Sequence, residues 1–354
     1  MSQNTSAESP SVAPERVLTD VAFDRFDLPD AVRRGLADAG FTHCTPIQAD
    51  TLPIALQGKD VAGQARTGTG KTAAFLLAIF KRLIEDPEAE SAGHHPRSIV
   101  IAPTRELAIQ IHRDAELLGR HTGLTFALAY GGVDYEKQRQ QLADGADVLI
   151  GTPGRIIDYY KQRVFNLKQI RVAVLDEADR MFDLGFIGDI RYMFRAMPPV
   201  EERQTLMFSA TFPLKVTELA YEHMNDAETI RIDEDQKTTE RVRQSVYYPS
   251  NREKLPLLVK LIRGFDDGHV IVFVNTRRAA DLVDRMLRGN GFDSAMLAGS
   301  VPQKKRQKLL EKFHSGDLPI LVATDVAARG LHIPDVSHVI NFDLPQDAAD
   351  YVHR

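Results

Sequence analysis

Cysteine is almost absent from this 354-residue chain, in which Cys44 is the only one. A single cysteine excludes a disulfide framework within the chain and fits a reducing compartment. Long hydrophobic runs are missing as well: the longest useful apolar stretch, residues 73–80, is far too short to span a bilayer. The first residues lack the basic region and apolar core of a secretory signal. These absences predict a cytoplasmic protein without a membrane partner.

A strong positive charge, which marks many nucleic-acid-binding proteins, is missing too. The chain has 44 Lys and Arg against 49 Asp and Glu, for a formal net charge of −5. Residues 241–354 are mildly basic, with 17 Lys and Arg against 13 Asp and Glu. This distribution favours local attraction of phosphate groups in the second half of the chain, although a surface asymmetry without function would look the same.

The most informative segment that is present reads ARTGTGKT at residues 65–72. Gly68 and Gly70 allow backbone N–H groups to close around phosphates, Lys71 supplies a charge at the β and γ phosphates, and the Thr72 hydroxyl can ligate Mg²⁺. The general pattern G-x-x-x-x-G-K-[ST] begins with glycine, where this chain has Ala65. The alternative is a glycine-rich turn without a ligand.

A second segment, VAVLDEAD at residues 172–179, carries the complementary chemistry. A short apolar strand ends abruptly in Asp176 and Glu177, so its tip offers one carboxylate for a metal and one that positions a water. The acidic residues could instead begin a helix, since Asp and Glu favour the first helical turn. Together with the phosphate loop, they predict an NTPase that uses ATP and Mg²⁺.

Strand-like and helix-like segments alternate along the chain, which predicts α/β domains with mainly parallel sheets. Residues 1–20 are predicted to be a disordered tail, residues 81–98 an exposed loop and residues 233–240 a linker between domains at 21–232 and 241–354. Strands are predicted at 98–102, 125–130, 148–151, 172–175, 205–209, 270–274, 294–297, 320–323 and 339–341, and a helix at 106–119.

Further segments resemble the DEAD-box ATP-dependent RNA helicases of superfamily 2, from Phe23 onward. The matching segments are FTHCTPIQ (41–48), PTREL (103–107), GG (131–132), TPGR (152–155), SAT (209–211), VFVNT (272–276), QKKR (303–306), ATDVAARGLHIPDV (323–336) and YVHR (351–354). Each is weak alone, but their order is specific. The resemblance implies two tandem RecA-like domains, the second incomplete at its C-terminus.

The resemblance also implies a nucleotide site. The amide of Gln48 offers the donor and acceptor that suit the adenine edge, and Phe23 offers a ring for stacking. The implied nucleotide-binding residues are Phe23, Gln48, Ala65, Arg66, Thr67, Gly68, Thr69, Gly70, Lys71, Thr72 and Gly330. Catalysis would rest on Lys71, Asp176 and Glu177, with Thr72 and Asp176 as metal ligands.

An RNA groove is implied by the remaining segments, with contacts to phosphates and ribose hydroxyls and not to base edges. The implied RNA-binding residues are Pro103, Thr104, Arg105, Gly132, Thr152, Pro153, Gly154, Arg155, Thr276, Arg277, Gln303, Arg306 and Thr324. Ser209 and Thr211 would hydrogen-bond toward Asp179 and couple nucleotide state to strand separation, and Asp325 would join a contact between the domains on closure. The alternative for Ser209 and Thr211 is a capped strand end.

The chain stops at Arg354, where the last family segment would continue with two arginines expected at the γ-phosphate. Their loss would lower the hydrolysis rate, by roughly 10³–10⁵ in comparable NTPases. An RNA clamp that depends on ATP and turns over poorly therefore stays open. A third reading is a P-loop ATPase that acts on DNA or protein, against which the segments FTHCTPIQ, PTREL and SAT argue. The chain is most similar to a bacterial type that partners the degradosome endoribonuclease in RNA degradation, and a monomer is expected.

Overall fold

The computed structural model describes residues 18–66, 68–86, 95–232, 242–265, 268–298, 301–328, 336–345, 350–351 and 354, with only the backbone of Gln303, Lys304 and Val326. These residues form two compact units that divide between Arg243 and Gln244, called the N-terminal unit and the C-terminal unit below. The predicted linker, 233–240, and residues 1–17 of the predicted tail lie outside the described residues.

The N-terminal unit contains a seven-stranded sheet with helices between its strands. Its strands are β1 (Val61–Gln64), β2 (Ser98–Ile101), β3 (Phe126–Ala129), β4 (Val148–Gly151), β5 (Val172–Asp176), β6 (Gln204–Ser209) and β7 (Glu228–Arg231). Its helices are α1 (Asp30–Asp38), α2 (Pro46–Ala55), α3 (Lys71–Glu85), α4 (Arg105–Leu118), α5 (Tyr135–Ala143), α6 (Pro153–Lys161), α7 (Ala178–Asp183), α8 (Ile187–Phe194) and α9 (Leu214–His223), after a short 3₁₀ turn at Phe23–Arg25.

The strand order in this sheet is β3-β4-β2-β5-β6-β1-β7, and every neighbouring pair is parallel. Successive residues of a strand point to opposite faces of the sheet, and in the central strands both sets are buried. Val100 and Val174 pack into one apolar cluster, whereas Ile101 and Leu175 pack into the other. The parallel sheet covered on both faces confirms the predicted α/β class.

The C-terminal unit repeats this arrangement on a smaller sheet. Its strands are β8 (His269–Val274), β9 (Ser294–Leu297), β10 (Ile320–Thr324) and β11 (Val336–Asn341), and its helices are α10 (Lys254–Arg263), α11 (Arg277–Gly289), α12 (Gln303–His314) and α13 (Asp325–Ala328). The order is β11-β8-β10-β9, again all parallel. Two apolar clusters flank it, with Val272 in one and Phe273 in the other.

Two boundaries differ from the sequence predictions. Thr19, assigned to the tail, donates from its backbone N–H and its hydroxyl to the Cys44 carbonyl at 2.8 and 2.9 Å. Helix α3 continues to Glu85 into the stretch predicted as a loop, because Leu83 is buried in the core while Lys81 forms ion pairs with Asp27 and Glu85. The charges of Arg82 and Glu85 therefore belong to an exposed helix end.

The single cysteine is part of the core. Cys44 is fully buried, and burial raises the pKa of its thiol to about 11. It is therefore a protonated, inert thiol at neutral pH. Among the residues that the structure describes, no helix has both the length and the apolar character to cross a bilayer.

Gly35 lets helix α1 lie directly against the backbone of helix α4. A Cβ atom at Gly35 would sit 1.9 Å from the Leu118 carbonyl oxygen, which is backbone and does not yield easily. We expect Gly35→Ala to lower the free energy of unfolding of the N-terminal unit by about 2–3 kcal/mol, because the two helices must move apart. Urea unfolding followed by far-UV circular dichroism measures the change.

Gly188, in helix α8, is the matched control for this substitution. It is exposed, and a Cβ atom there would meet nothing within 4 Å. We expect Gly188→Ala to be neutral or stabilising, by up to about 1 kcal/mol, because alanine loses less backbone entropy than glycine. Equal stability of the two variants would show that the α1–α4 contact tolerates a methyl group.

Candidate active site

The segments singled out in the sequence meet at one edge of the seven-stranded sheet. Parallel strands end on the same side, so the residues that follow each strand lie together. Strand β1 leads into the phosphate loop, β5 ends in Asp176 and β6 ends at Ser209. Because β5, β6 and β1 are neighbours in the order β5-β6-β1, these three groups form a continuous candidate site for a nucleotide.

The segments implied in RNA binding follow the three strands on the other side of β5. PTREL follows β2, GG follows β3 and TPGR follows β4, and the strand order is β3-β4-β2. The sheet therefore separates the two groups of residues into adjacent halves. The boundary between them runs between β2 and β5, which are hydrogen-bonded neighbours.

The phosphate loop ends at the first residue of helix α3. Gly68 and Gly70 have φ values of +86° and +93°, a left-handed backbone that favours glycine. Gly70 caps α3, whose first residue is Lys71, so the unpaired N–H groups of that helix end face the loop. A Cβ atom at Gly70 would also lie 2.5 Å from Gln48 Nε2. Glycine is thus required here both for its φ angle and for its small size.

Lys71 and Asp176 form a buried ion pair across the loop. The Lys71 Nζ atom lies 3.3 Å from Asp176 Oδ1, and the two side chains are 4% and 2% exposed. In the described part of the chain the ammonium nevertheless makes no hydrogen bond of acceptable geometry. A buried ammonium with unused N–H donors is costly unless a ligand completes it, and a phosphate oxygen is a suitable acceptor.

The same residues fit a magnesium ion. Mg²⁺ usually takes one or two protein oxygens and leaves its other positions to water and phosphate. The Asp176 carboxylate and the Thr72 hydroxyl, one residue after Lys71, supply such a sparse oxygen set. Within the described residues, no group of three or more His, Cys, Asp or Glu side chains is placed to hold a metal ion by protein side chains alone.

Glu177 links strand β5 to helix α7 through a left-handed conformation, with φ +56° and ψ +53°. Non-glycine residues rarely adopt this conformation, which costs about 1–2 kcal/mol. Its side chain is 5% exposed, and Oε2 lies 3.6 Å from Arg180 Nε. Its backbone N–H donates to Asp176 Oδ1 at 3.0 Å, which holds the Asp176 carboxylate against the Glu177 backbone.

Asp179 joins the start of helix α7 to the loop after β6. Its Oδ2 accepts hydrogen bonds from the backbone N–H and the hydroxyl of Thr211, both at 2.9 Å. Its own backbone N–H donates to Ser209 Oγ at 3.1 Å. Three hydrogen bonds thus hold Asp179 to Ser209 and Thr211. Their role in coupling nucleotide state to strand separation stays a prediction.

Gln48 is buried, with 2% of its surface exposed, and both ends of its amide are engaged. Its Oε1 accepts from the Thr45 backbone N–H at 2.8 Å, which completes a capping box at the start of α2. Its Nε2 donates to the Gly70 carbonyl at 3.0 Å. Gln48 therefore supports the phosphate loop directly, and any contact with adenine would come in addition.

This geometry gives a prediction for Gln48→Glu. A carboxylate cannot donate to the Gly70 carbonyl, and two acceptors would face each other in a buried position. We expect the affinity for ATP to fall by roughly 10-fold, measured by equilibrium titration with a fluorescent nucleotide analogue. Gln57→Glu is the control, because the exposed Gln57 amide also donates to a backbone carbonyl, that of Pro53. Equal affinities in the two variants would contradict the supporting role of Gln48.

The other residues of the predicted nucleotide site are distributed as follows. Phe23 is 3% exposed and stacks on Phe41 with ring centroids 6.2 Å apart, so it belongs to the core here. Ala65 donates its backbone N–H to the Ser209 carbonyl at 3.0 Å, and Thr69 bonds the Arg66 carbonyl. Thr67 and Gly330 lie outside the described residues. Adenine stacking on Phe23 remains a prediction.

The predicted RNA residues of the N-terminal unit lie in the loops after β2, β3 and β4. Thr104 caps helix α4 by accepting the Leu107 N–H at 3.3 Å, and Gly132 has a φ of +89°. A Cβ atom at Gly131 would lie 3.2 Å from Arg105 Nη2, so the absence of a side chain at Gly131 leaves room for this guanidinium. The remaining segment, Thr152 to Arg155, forms the start of helix α6 with Pro153 and Gly154 in its first turn.

The predicted RNA residues of the C-terminal unit are at the corresponding edge of its sheet. Thr276 follows β8 and caps α11 by accepting the Ala279 N–H at 3.1 Å, and Arg277 is exposed beside it. Thr324 ends β10, with 8% of its surface exposed. Arg306 is also buried and donates from Nη2 to the Ala327 carbonyl at 2.5 Å. Gln303 begins α12, where only its backbone is described.

Asp325 is bound within the C-terminal unit by Arg354, which is not among the predicted site residues. Arg354 Nε and Nη2 contact the two Asp325 carboxylate oxygens at 2.6 and 2.7 Å. The same guanidinium donates to the Asn341 and Asn275 side chains and to the Asp343 carbonyl. It thereby ties together the residues after β8, β10 and β11. A single arginine at the end of YVHR gave no indication of this network.

Comparisons with known proteins agree with this arrangement. Residues 45–219 match the family model for the DEAD/DEAH box helicase, and residues 253–354 match that for the helicase conserved C-terminal domain. ATP-dependent RNA helicase RhlB of Xanthomonas axonopodis is 56% identical over 96% of this chain, which spans only 60% of that relative. RhlB of Pseudoalteromonas atlantica is 54% identical over 95% of this chain and 80% of its own length.

Solved structures give the same result. The structure of S. cerevisiae Dbp5 bound to RNA and ADP BeF₃ aligns with a TM-score of 0.80 at 30% identity, covering 94% of this chain and 85% of the other. A DEAD box protein from Methanococcus jannaschii aligns with a TM-score of 0.55 at 32% identity, covering 94% and 88%.

Proposed function

Because this chain belongs to the DEAD/DEAH box helicase family, with two RecA-like units, we propose that it is an ATP-dependent RNA helicase. It would unwind or remodel RNA duplexes locally while it hydrolyses ATP. The observation that carries this proposal is the strand order β3-β4-β2-β5-β6-β1, which assigns the RNA segments and the nucleotide segments to adjacent halves of one sheet edge.

On the nucleotide side, the N–H groups at the start of α3 and the Lys71 ammonium would bind the β and γ phosphates. Thr72 and Asp176 would hold Mg²⁺, which when bound would neutralise charge on those phosphates. Glu177 is suited to orient and deprotonate the attacking water, because its carboxylate follows Asp176 directly and is shielded from solvent.

On the RNA side, Arg105, Arg155 and the helix start at Thr152 would bind the sugar–phosphate backbone. Such contacts position a strand without reading its sequence. In the C-terminal unit, Thr276, Arg277, Gln303, Arg306 and Thr324 would extend the same strand contact. We further propose that ATP and RNA together favour a closed arrangement of the two units, in which Asp325 takes part and Gly330 serves the nucleotide, and that hydrolysis releases it.

The test is steady-state ATP hydrolysis by the full chain with no nucleic acid, with single-stranded RNA and with DNA of the same sequence. Lys71→Ala supplies the background rate, since it removes the phosphate-binding charge. A rate that rises only with RNA, together with release of a short labelled duplex strand, supports the helicase. A rate that rises equally with DNA would contradict an RNA-specific function.

Hydrolysis of ATP over many cycles distinguishes a helicase from an RNA clamp. RNA binding that strengthens with a non-hydrolysable ATP analogue, without hydrolysis above the Lys71→Ala background, would favour the clamp. A place in bacterial RNA degradation in the cytoplasm, with the degradosome endoribonuclease as partner and a monomeric chain, is proposed from the family resemblance. Analytical ultracentrifugation with and without that endonuclease would test the last two points.

A further inference from the structure

Two tyrosines surround the Arg155 guanidinium in the N-terminal unit. The Arg155 Cζ atom lies 4.7 Å from the centre of the Tyr135 ring and 5.4 Å from that of Tyr159. The two rings are 5.0 Å apart and inclined at 43°, so both offer a face or edge to the same cation. We call Tyr135 and Tyr159 the tyrosine cradle. Neither tyrosine is among the predicted site residues.

The cradle is itself held by a hydrogen-bond network. Tyr159 is fully buried, and its hydroxyl donates to the Tyr135 carbonyl at 3.0 Å and lies 3.3 Å from Gln138 Oε1. Gln138 Oε1 also accepts the Tyr130 backbone N–H at 3.2 Å. Tyr130 directly precedes the GG segment, so the network connects the loop after β3 to the helix that carries Arg155.

The positive charge of the Arg155 guanidinium is only weakly neutralised in this position, so it can still attract an anion. Its side chain is 16% exposed, and its nearest carboxylate, Asp158 Oδ2, is 3.7 Å from Nη1. That separation exceeds hydrogen-bond distance, and the Asp158 side chain is 45% exposed, so the pair neutralises the cation only weakly. Burial raises the pKa of the Tyr159 hydroxyl although Arg155 opposes the shift, so Tyr159 stays uncharged at neutral pH.

We propose that Tyr135 and Tyr159 are positioning residues for Arg155 in RNA binding, an inference that rests on the proposed function. Aromatic faces attract a guanidinium group, and a long arginine side chain otherwise loses rotational freedom when it binds. The cradle fixes the guanidinium beside the β4 edge before RNA arrives, so that less entropy is lost when it contacts the sugar–phosphate backbone. The ligand of the cradle-held cation is a backbone phosphate of single-stranded RNA.

The test is a double-mutant cycle on RNA affinity, with Tyr135→Leu and Arg155→Ala alone and combined. Fluorescence anisotropy with labelled single-stranded RNA, at saturating non-hydrolysable ATP analogue, gives each Kd. We expect Tyr135→Leu to weaken binding by about 3- to 30-fold, with unchanged affinity for the nucleotide. In the Arg155→Ala background the same substitution should have no further effect. Tyr135→Phe, which keeps the ring, should bind RNA within about twofold of the wild type.

The outcomes separate the inference from the proposed function. If Arg155→Ala weakens RNA binding but Tyr135→Leu does not, the positioning role is wrong and the RNA contact stands. If Tyr135→Leu weakens binding equally with and without Arg155, the tyrosine acts by another route, and the inference is again overturned. If Arg155→Ala leaves the RNA affinity unchanged, the RNA contact proposed for Arg155 fails together with the inference. Thermal melting of each variant checks that the unit remains folded.

Discussion

Replacement of Glu177 by glutamine is expected to lower the RNA-stimulated rate of ATP hydrolysis by about 10²- to 10⁴-fold, with little change in ATP affinity. Glutamine has nearly the same shape, so the buried site at the end of β5 stays packed. It cannot accept a proton from water near neutral pH, and it lacks the negative charge that faces Arg180 at 3.6 Å. The loss should therefore appear in kcat and not in KM.

Two comparisons make this prediction specific. Glu116→Gln, on the exposed face of helix α4, removes the same charge far from the end of β5 and should leave the rate unchanged. Direct titration with a nucleotide analogue should give the same Kd for the wild type and for Glu177→Gln. A rate within tenfold of the wild type would exclude Glu177 as the general base. A lost affinity would instead show that the substitution disturbs the phosphate loop.

The second large effect is expected from Arg354→Ala in the C-terminal unit. The Arg354 side chain is 2% exposed and Asp325 is 19% exposed. Removal of the arginine leaves a largely buried carboxylate without its cation and leaves three further acceptors unpaired. We expect the free energy of unfolding of this unit to fall by about 3 kcal/mol, the lower end for a broken buried pair because Asp325 is partly exposed.

Urea unfolding of the full chain, read by amide hydrogen exchange in β8 and β10, isolates this effect from the N-terminal unit. Arg285→Ala provides the control, since Arg285 pairs with Asp281 on the surface of α11 with side chains 71% and 55% exposed. That exposed pair should contribute less than about 1 kcal/mol. Similar losses from the two arginines would mean that the Arg354 network adds nothing beyond a surface ion pair.

Much of the fold is predictable because buried parallel strands are short apolar runs. The strands at 148–151 and 294–297 have the predicted bounds in the structure. Strand β1 escaped prediction because it reads VAGQ, with a glycine that no strand propensity favours. The fold explains that glycine, since a Cβ atom at Gly63 would lie 2.7 Å from the Phe208 ring. Strand β7, with three of its four residues exposed at the sheet edge, lacks the apolar pattern altogether.

The residue types at the site were also accessible from the sequence, whereas their internal contacts were not. Gln48 contacts Gly70 across 22 positions, and Arg354 contacts Asn275 across 79. Such pairs depend on how helices and strands pack, and no local spacing indicates them. The same limit applies to Phe23, whose aromatic ring fits equally a ligand contact or the core position beside Phe41 that it occupies.

The adjacency of β2 and β5 sets the distance over which the two proposed ligands, RNA and nucleotide, would sense each other. Ile101, the last residue of β2, is paired with Leu175, the residue before Asp176. Neighbouring strands lie about 4.8 Å apart, so the backbones that carry the two loops are separated by one rung of a hydrogen-bonded ladder. Communication between them needs no long relay of side chains. We expect the exchange of the amides that join β2 to β5 to respond when either loop is occupied.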